Sequence, residues 1–340
     1  MTTKKGLKFS VIIPVCHGGT FLKTVLSSLR QVAFPPERFE VIMTGADDEL
    51  SSRIVQEESA GAPFAVSYID CPEPQRSRQL NEACRMARGR ILVFADDDCL
   101  IHKDWLEKIG AVFKREKNIG IIGGRDELEH NGSAFDLALD NVLNSFVGTG
   151  GMRGGKGPRA GKYYPKLWNM AVPRQVALQV ASGTKAGRPQ VFNEILGVHE
   201  DVDLTNRIEQ SGKRIVFAPE VRVGHSRDTS FLAFAARNLA MAGTSRALGV
   251  HRLPHLALAM LALGAPTLAF AAFYLNSLRP VLQVFLAIYG AVLLASAVRG
   301  GWRTGSLRVL SLVPLLLITL HLARGLGYLL PGRGQEMVRS

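Results

Sequence analysis

Acidic residues are absent from two long stretches of this 340-residue chain, whose formal net charge is +12. No Asp or Glu lies between Asp140 and Glu194 or from Thr229 to Gln335, although both stretches contain several basic residues. A basic excess fits nucleic acid, anionic lipid or a phosphorylated substrate. Aromatic residues make up 7% of the chain and do not alternate with the basic ones, as they do on nucleic-acid platforms. The pattern therefore favours membrane and phosphate partners over nucleic acid.

Cysteine is also scarce. The chain has four cysteines, at positions 16, 71, 84 and 99, and none of them forms a CxxC pair. This usage favours a reduced, cytosolic compartment over a disulfide framework. The start Met-Thr-Thr-Lys-Lys leads directly into an apolar strand pattern, so we expect no secretory signal.

Short apolar runs alternate with helical patterns from residue 8 to about residue 228. The predicted strands are residues 9–14, 39–43, 65–69, 91–94, 120–123 and 214–223. The predicted helices are residues 21–30, 54–59, 78–88 and 105–114. Strands separated by helices indicate an α/β fold that is Rossmann-like, with a mixed, mainly parallel sheet and helices on both faces.

The chain becomes strongly apolar after residue 253. Residues 254–275, 280–298 and 307–330 are each mostly apolar over the ~20 residues that a membrane-spanning helix needs. Arg299, Arg303 and Arg308 cluster around the junction of the second and third segments, which places that loop and the N-terminal domain on the cytoplasmic side. We therefore predict a multi-pass protein of the inner cell membrane, with an α/β domain (1–228), a linker (229–252), about three spanning helices (253–331) and a tail (332–340).

The linker region has one apolar face, formed by Phe231, Phe234, Ala235, Leu239 and Ala242. This pattern is typical of an amphipathic helix that lies on a membrane surface. It fits equally well an ordinary helix that packs on the globular domain.

Three carboxylates follow the apolar run at residues 91–94 directly. On an extended backbone Asp96 and Asp98 would face the same side, with Asp97 pointing away. Two carboxylates aimed at one point suit a hard divalent cation, which shares them with substrate phosphates. The alternative is a solvated acidic turn after a strand.

A second acidic group, Glu200, Asp201 and Asp203, opens a predicted helix. An acid in the first turn stabilises a helix through its dipole, and this effect explains the presence of one acid more easily than of three. If Asp201 faces the first acidic group, it can serve as a general base. His225, at the end of a predicted strand, is either a structural residue or a further metal ligand.

Six segments together resemble the inverting nucleotide-sugar glycosyltransferases of family 2, which have the GT-A fold. Each segment resembles a segment of these enzymes, and the six follow one another in the same order. Three are similar to the family's first strand (9–15), its nucleotide-side helix (81–89) and its DxD metal motif (94–98). The other three are similar to its acceptor-side segment (168–172), the start of its catalytic helix (192–194 with 200–201) and the strand that carries a metal-proximal histidine (221–225). The resemblance covers about residues 8–228.

This resemblance implies roles for individual residues. Asp96, Asp98 and His225 would hold Mg2+ or Mn2+, Asp201 would be the catalytic base, and Glu200 would steer the acceptor. The implied nucleotide-sugar contacts are Pro14, Val15, Asp47, Arg76, Arg78, Asn81 and Asp97. The implied acceptor contacts are Trp168, Asn169, Glu194, Lys162 and Lys166. A solvated loop is an equally good interpretation of Arg76 and Arg78.

The chain departs from the family pattern at two places. Thr44 stands where an acid that contacts the nucleotide base is expected, although Asp47 or Asp48 can substitute for it. The Gln-x-x-Arg-Trp signature of processive synthases is absent after Gly212, so we expect one sugar to be added at a time.

The implied function is transfer of a sugar from a UDP- or GDP-linked donor to a lipid-linked or glycolipid acceptor in cell-envelope synthesis. Partners in a biosynthetic complex are compatible with this function. Two alternatives remain: a catalytically degenerate membrane scaffold of an envelope-assembly complex, and a nucleotidyltransferase of similar fold.

Overall fold

The computed structural model describes ten segments of the chain. They are residues 6–16, 18–46, 49–73, 75–128, 132–149, 163–185, 187–196, 198–225, 229–247 and 252–330. These residues form two compact units. We call residues 6–128 and 163–225 the sheet unit, and residues 132–149 and 229–330 the helical unit.

The described residues contain ten strands and twelve α-helices. The strands are β1 (Phe9–Pro14), β2 (Phe39–Gly45), β3 (Ala65–Asp70), β4 (Ile91–Phe94), β5 (Cys99–Ile101), β6 (Ile119–Leu128), β7 (Met170–Pro173), β8 (Gly183–Lys185), β9 (Arg188–Gln190) and β10 (Arg214–His225). The helices are α1 (Gly19–Arg30), α2 (Glu49–Ser59), α3 (Arg76–Met86), α4 (Trp105–Arg115), α5 (Ala134–Leu143), α6 (Phe146–Thr149), α7 (Arg174–Gln179), α8 (Glu200–Gln210), α9 (Phe231–Ala247), α10 (Arg252–Tyr274), α11 (Arg279–Thr304) and α12 (Leu307–Leu329).

The sheet unit is built on a mixed sheet with the strand order β3-β2-β1-β4-β7-β6-β10-β5. Strands β3, β2, β1 and β4 run parallel to one another, and β6 runs parallel to β10. The remaining neighbours, β4 with β7, β7 with β6, and β10 with β5, are antiparallel. The predicted mixed, mainly parallel α/β sheet is confirmed.

Alternate residues of each central strand enter two separate cores. In β1, Val11 and Ile13 pack with α1 and α4 on one face, whereas Ile12 packs with α3 and α8 on the other. This alternation follows from the two-residue period of a strand, so a strand that is apolar at every position must be covered on both faces. Helices therefore lie on both faces, as predicted.

Sequence reasoning missed the short strands. Strands β1 and β4 have the predicted bounds. Strands β5, β7, β8 and β9, which have three or four residues each, were not predicted. Runs of this length carry no readable period, and their strand conformation comes from pairing with neighbours. Strand β6 extends to Leu128, well beyond the predicted end at residue 123.

The helical unit contains three helices that are long and apolar enough to cross a membrane. They are Pro254–Tyr274, Asn276–Thr304 and Leu307–Leu329. Helix α12 packs closely against α9 and α10 at two glycines. A Cβ atom on Gly325 would collide with the Leu258 carbonyl oxygen, and one on Gly327 would collide with the Leu239 carbonyl oxygen. Small residues thus allow the backbones to approach, as is common among membrane helices.

Helix α9 is a packed helix of this unit. Its Phe234 is buried in a cluster with Val309, Leu316 and other residues of α5 and α12. Its Arg246 side chain donates to the carbonyl oxygens of the last turn of α12. Of the predicted apolar face, Phe234 and Ala242 are buried and Phe231 is exposed, so a helix at the membrane surface stays a prediction. Since α5 and α6 also belong to this unit, the proposed domain boundary at residue 228 stays a prediction.

A buried carboxylate joins three parts of the sheet unit. Glu40 of β2 accepts hydrogen bonds from the Ser10 hydroxyl of β1 at 2.7 Å and from the Arg88 backbone N–H at 2.7 Å. The Arg88 guanidinium also lies 2.7 Å from the second oxygen. Burial opposes ionisation, but the bonds from Arg88 and Ser10 outweigh it and keep the pKa of Glu40 below its ordinary value.

Replacing Glu40 with Ala should lower the free energy of unfolding by roughly 3 kcal/mol at pH 7, because Ser10 and Arg88 lose a charged partner. Since the folded-state pKa is lowered, this contribution is present above the ordinary pKa of Glu and disappears as the pH falls through the folded-state value. Thermal unfolding of the full chain in detergent at several pH values measures the effect. Glu37→Ala, at an exposed position in the turn just before β2, is the control. A loss of stability that does not depend on pH would contradict the charge-based explanation.

Candidate active site

The candidate site lies where the strand order of the sheet reverses. Strands β1 and β4 are parallel neighbours, and the chain leaves β1 toward β2 on one side and reaches β4 on the other. Ligands of open α/β sheets bind at the carboxyl ends of the strands at such a switch point. Here these ends carry Pro14 and Val15 on β1 and the three acids after β4.

The middle acid, Asp97, faces the protein interior. Its side chain is fully buried, and one carboxylate oxygen accepts hydrogen bonds from the backbone N–H groups of Cys16 and Gly18, both at 3.0 Å. These bonds tie the loop after β1 to the end of β4. We therefore interpret Asp97 as a residue that positions this loop, and its predicted contact with a nucleotide sugar stays a prediction.

The three acids form a turn, so the expectation of an extended backbone was wrong. Strand β4 ends at Phe94, and the Cys99 N–H donates to the Asp96 carbonyl oxygen at 3.2 Å. Because a turn rotates successive side chains, Asp96 and Asp98 have different partners. The Asp96 carboxylate contacts the Arg76 guanidinium, and the Asp98 carboxylate contacts His225.

Asp98, Cys99 and His225 form a cluster whose ligand atoms all lie within 4.8 Å of one another. The antiparallel pairing of β5 and β10 places His225 opposite Cys99, and the Nε2 atom of His225 lies 3.3 Å from Asp98 Oδ1. Among the described residues, this buried Asp98 oxygen has no hydrogen-bond partner. An unsatisfied carboxylate oxygen beside an imidazole suits a divalent cation.

Cys99 is a poor ligand for Mg2+ or Mn2+. Burial raises the pKa of its thiol well above the ordinary value, so the sulfur stays protonated at neutral pH. Its Sγ lies 3.7 Å from the Trp168 carbonyl oxygen, to which the thiol donates. Hard cations also prefer oxygen ligands. Asp98 and His225 therefore fit a metal ion, whereas Asp96, held by Arg76, is outside the cluster.

Arg76, at the first position of α3, connects the two acidic groups. Its guanidinium contacts Asp96, and its Nε atom lies 3.2 Å from Glu200 Oε1 at the start of α8. Arg76, which the sequence predicted as a nucleotide contact, thus lies between two carboxylates. A planar guanidinium suits this bridging position, because its donors point in several fixed directions.

Asp201 is the acid best suited to remove a proton. Its Oδ2 atom lies 2.8 Å from the Lys166 ammonium, and its Oδ1 atom accepts from the Val202 N–H at 2.8 Å. Burial opposes ionisation, but the positive charge of Lys166 keeps the pKa of Asp201 below its ordinary value. Burial raises the pKa of the adjacent Glu200 despite the charge of Arg76. The pKa values of the two neighbouring acids are therefore shifted in opposite directions, and that of Asp201 is the lower.

The residue before these acids adopts a rare backbone conformation. His199 is buried and has φ 66° and ψ 24°, in the left-handed region, although it is not glycine. This conformation costs roughly 1–2 kcal/mol and turns the chain sharply into α8. The turn directs Glu200 and Asp201 into the site, while Asp203 pairs with Arg207 at 2.7 Å. No pattern in the sequence indicated this strained turn.

Arg78 and Asn81 of α3 hold a neighbouring segment of the chain. The Asn81 amide donates to the Phe192 carbonyl oxygen at 2.9 Å and to Glu194 Oε1 at 3.0 Å, and it accepts from the Phe192 N–H. Arg78 lies 3.4 Å from the same Glu194 carboxylate. Both side chains therefore support residues 192–194, and their predicted contacts with a nucleotide, like that of Glu194 with an acceptor, stay predictions.

Trp168 and Asn169 support the part of the site around His225. The Trp168 indole stacks on the His225 ring, with centroids 4.9 Å apart and planes 15° from parallel. The buried Asn169 amide donates to the backbone oxygens of Arg125 and Val221 and accepts from the Trp105 indole at 2.9 Å. We interpret both as positioning residues, and their predicted acceptor contacts are untested. The predicted residues Asp47 and Lys162 lie outside the described part of the chain.

The profile of the family described as "Glycosyltransferase like family 2" matches residues 7–244, more than half of the chain. The chain belongs to this family. The resemblance stated from six sequence segments is thereby confirmed, and so is the expectation, at the level of the family, that the chain is a glycosyltransferase.

Individual relatives of this glycosyltransferase family member are distant. Poly(ribitol-phosphate) beta-N-acetylglucosaminyltransferase TarS of Staphylococcus aureus is 27% identical over 106 residues, which cover 31% of this chain and 18% of the relative. Glycosyltransferase AglE of Haloferax volcanii is 25% identical over 137 residues, 40% of this chain and 45% of the relative. The chain thus matches less than half the length of these curated relatives.

A solved structure has the same fold over most of both chains. It is the mannosyltransferase PcManGT from Pyrobaculum calidifontis in complex with GDP-Man and Mn2+, with a TM-score of 0.53 and 15% identity, and the match covers 93% of this chain and 86% of that one. This likeness concerns the fold, and the GT-A architecture expected from the sequence is confirmed.

Replacing Asp98 with Asn should weaken Mn2+ binding by at least about tenfold, because the amide loses the negative charge that attracts the cation. Titration of the purified protein with Mn2+, followed by the electron paramagnetic resonance signal of free Mn2+, measures this change without any substrate. Asp104→Asn, at the start of α4, should leave the affinity unchanged, as should Cys99→Ser. Equal weakening by Cys99→Ser and Asp98→Asn would identify the sulfur as a ligand and contradict the assignment.

Proposed function

We propose that this protein is a metal-dependent, inverting glycosyltransferase that moves a sugar from a nucleotide-sugar donor to a membrane-associated acceptor. The observation that supports this most strongly is the pair of Asp201 with Lys166, which lies in the same sheet unit as the Asp98–His225 cluster. A general base and a cation site are the two parts that such a transfer needs.

In the proposed reaction, Asp201 removes the proton from an acceptor hydroxyl group as the hydroxyl oxygen attacks the anomeric carbon of the donor. The bond from that carbon to the nucleoside diphosphate breaks on the opposite face, so the configuration inverts. A divalent cation bound by Asp98 and His225 would neutralise the charge of the departing diphosphate. Arg76 adds a second positive charge near Asp96, and Glu200 steers the acceptor.

Several observations support a phosphate-bearing acceptor at a membrane. Three helices are long and apolar enough to span a bilayer, and the segment before Lys166 is basic and free of acids. The relative TarS is named for a poly(ribitol-phosphate) acceptor. We propose a lipid-linked or glycolipid acceptor of cell-envelope synthesis, with the sheet unit on the cytoplasmic side of the inner membrane. A GDP-linked or UDP-linked sugar is the proposed donor, and PcManGT was solved with GDP-Man.

Replacing Asp201 with Asn should reduce transfer by roughly 10²–10⁴-fold, because an amide cannot accept the proton of the acceptor hydroxyl. Donor binding should change little, because this role develops in the transition state. Release of nucleoside diphosphate from a panel of nucleotide sugars, with membrane lipid extract and with Mg2+, Mn2+ or EDTA, measures the activity of detergent-purified protein.

Asp203→Asn is the matched control for this substitution, because Asp203 lies on the same helix turn and pairs with Arg207. It should keep most of the activity. If no donor gives metal-dependent release even with lipid extract present, the proposal fails and a non-enzymatic scaffold becomes the better explanation.

Replacing Lys166 with Ala should move the acidic limb of the pH profile of kcat/KM to higher pH. Without the ammonium, burial is left to raise the pKa of Asp201, and a base with a raised pKa loses its ionised form at a higher pH. Values of kcat/KM measured from pH 4 to pH 9 for the two proteins test this shift. Lys108→Ala, which breaks a similar pair with Asp104 on α4, should leave the limb in place. An unmoved limb in Lys166→Ala would contradict the role of Lys166 at the base.

A further inference from the structure

A shallow, open groove of about 610 Å³ follows one face of helix α11, and all the residues that line it belong to this helix. One wall is a row of residues four apart, in which Ala291 and Ala295 are followed by Arg299 and Arg303. The other wall is a second such row, formed by Leu294, Val298 and Trp302. Residues four apart lie on the same helix face, so the small alanines form a channel beside the larger side chains. The groove is therefore apolar along most of its length and cationic at one end.

The two arginines at this end are available to a ligand. Both side chains are exposed, and neither makes a hydrogen bond or an ion pair with any described residue. Trp302 beside them is 87% exposed. Two guanidinium groups one helical turn apart present several donors toward one point, an arrangement that suits a phosphate group.

The dimensions of the groove match one leaflet of a bilayer. From Ala291 to Arg299 the helix rises about 12 Å, close to the half-thickness of about 15 Å of a typical hydrocarbon core. An exposed Trp at the end of a spanning helix is typical of the head-group level, where Arg side chains also reach the interface. An acyl chain would therefore lie along the alanine row, with its head group at the arginines.

A second copy of this chain fits the groove poorly. An α-helix packed on the alanine row would bury Arg299 and Arg303, which then need carboxylate partners. No Asp or Glu occurs from Thr229 to Gln335, so the spanning helices of another copy cannot supply them. An anionic amphiphile can cover the apolar wall with its chain and pair its charge with the two arginines.

We propose that this groove binds an anionic glycerophospholipid of the cytoplasmic leaflet, with the phosphate group on Arg299 and Arg303 and an acyl chain along Ala291 and Ala295. The site is separate from the candidate active site, and it rests on the proposed placement of α11 in the membrane. Its role is to bind a membrane lipid, independently of any nucleotide sugar.

The test compares retained lipids by native mass spectrometry. Delipidated full-length protein in detergent is incubated with an equimolar mixture of phosphatidylglycerol and phosphatidylcholine, which differ in net charge. We expect one phosphatidylglycerol to be retained in preference to phosphatidylcholine by at least fivefold. The variant Arg299→Gln/Arg303→Gln should lose this preference. Arg53→Gln/Lys117→Gln removes the same charge from exposed positions of the sheet unit and should keep it.

A third variant, Ala295→Trp, distinguishes a groove from a general attraction of charges. It keeps both arginines but fills the channel, so retention of phosphatidylglycerol should also fall at least fivefold. Undiminished retention by Ala295→Trp, or by the Arg299→Gln/Arg303→Gln variant, would overturn the proposal, as would equal retention of the two lipids by the unmodified protein. Since no nucleotide sugar is present, failure here is distinguishable from failure of the proposed glycosyl transfer.

Discussion

Charge balance among four acids is the constraint on which the candidate site depends. Carboxylates that share one buried crevice raise the pKa values of one another and destabilise the folded chain unless cations lie between them. The contacts are those of Arg76 with Asp96 and Glu200, of Lys166 with Asp201, and of the His225 imidazole with Asp98. These nitrogen-bearing side chains come from different parts of the sheet unit. The site is thus held together by contacts that join residues distant in the sequence.

Much of the sheet could be predicted because its central strands are buried along their length and mostly apolar. The ends of β1 and β4 were predicted to the residue, since each apolar run stops at a clear change in composition. The identity of the family followed from six short segments in the right order, none of which is specific alone. Local sequence therefore indicated where the acids lie and which strands carry them.

The direction of each side chain could not be predicted, because it depends on contacts distant in the sequence. The turn after β4 separates Asp96 from Asp98, and no residue between them signals this turn. Likewise the bonds that join the Asn169 amide to Trp105 and to two backbone oxygens could not be inferred from its place in the sequence. The membership of α5 and α6 in the helical unit was equally hidden, since their partners on α12 follow more than 160 residues later.

One short segment, residues 166–169, contacts both halves of the site. Lys166 pairs with Asp201, the proposed base, and two residues later Trp168 stacks on His225 beside Asp98. A displacement of this segment would change the charge beside Asp201 and the support of the imidazole in a single movement. In the proposed reaction the segment would therefore couple the position of the base to that of the residues that would hold the cation.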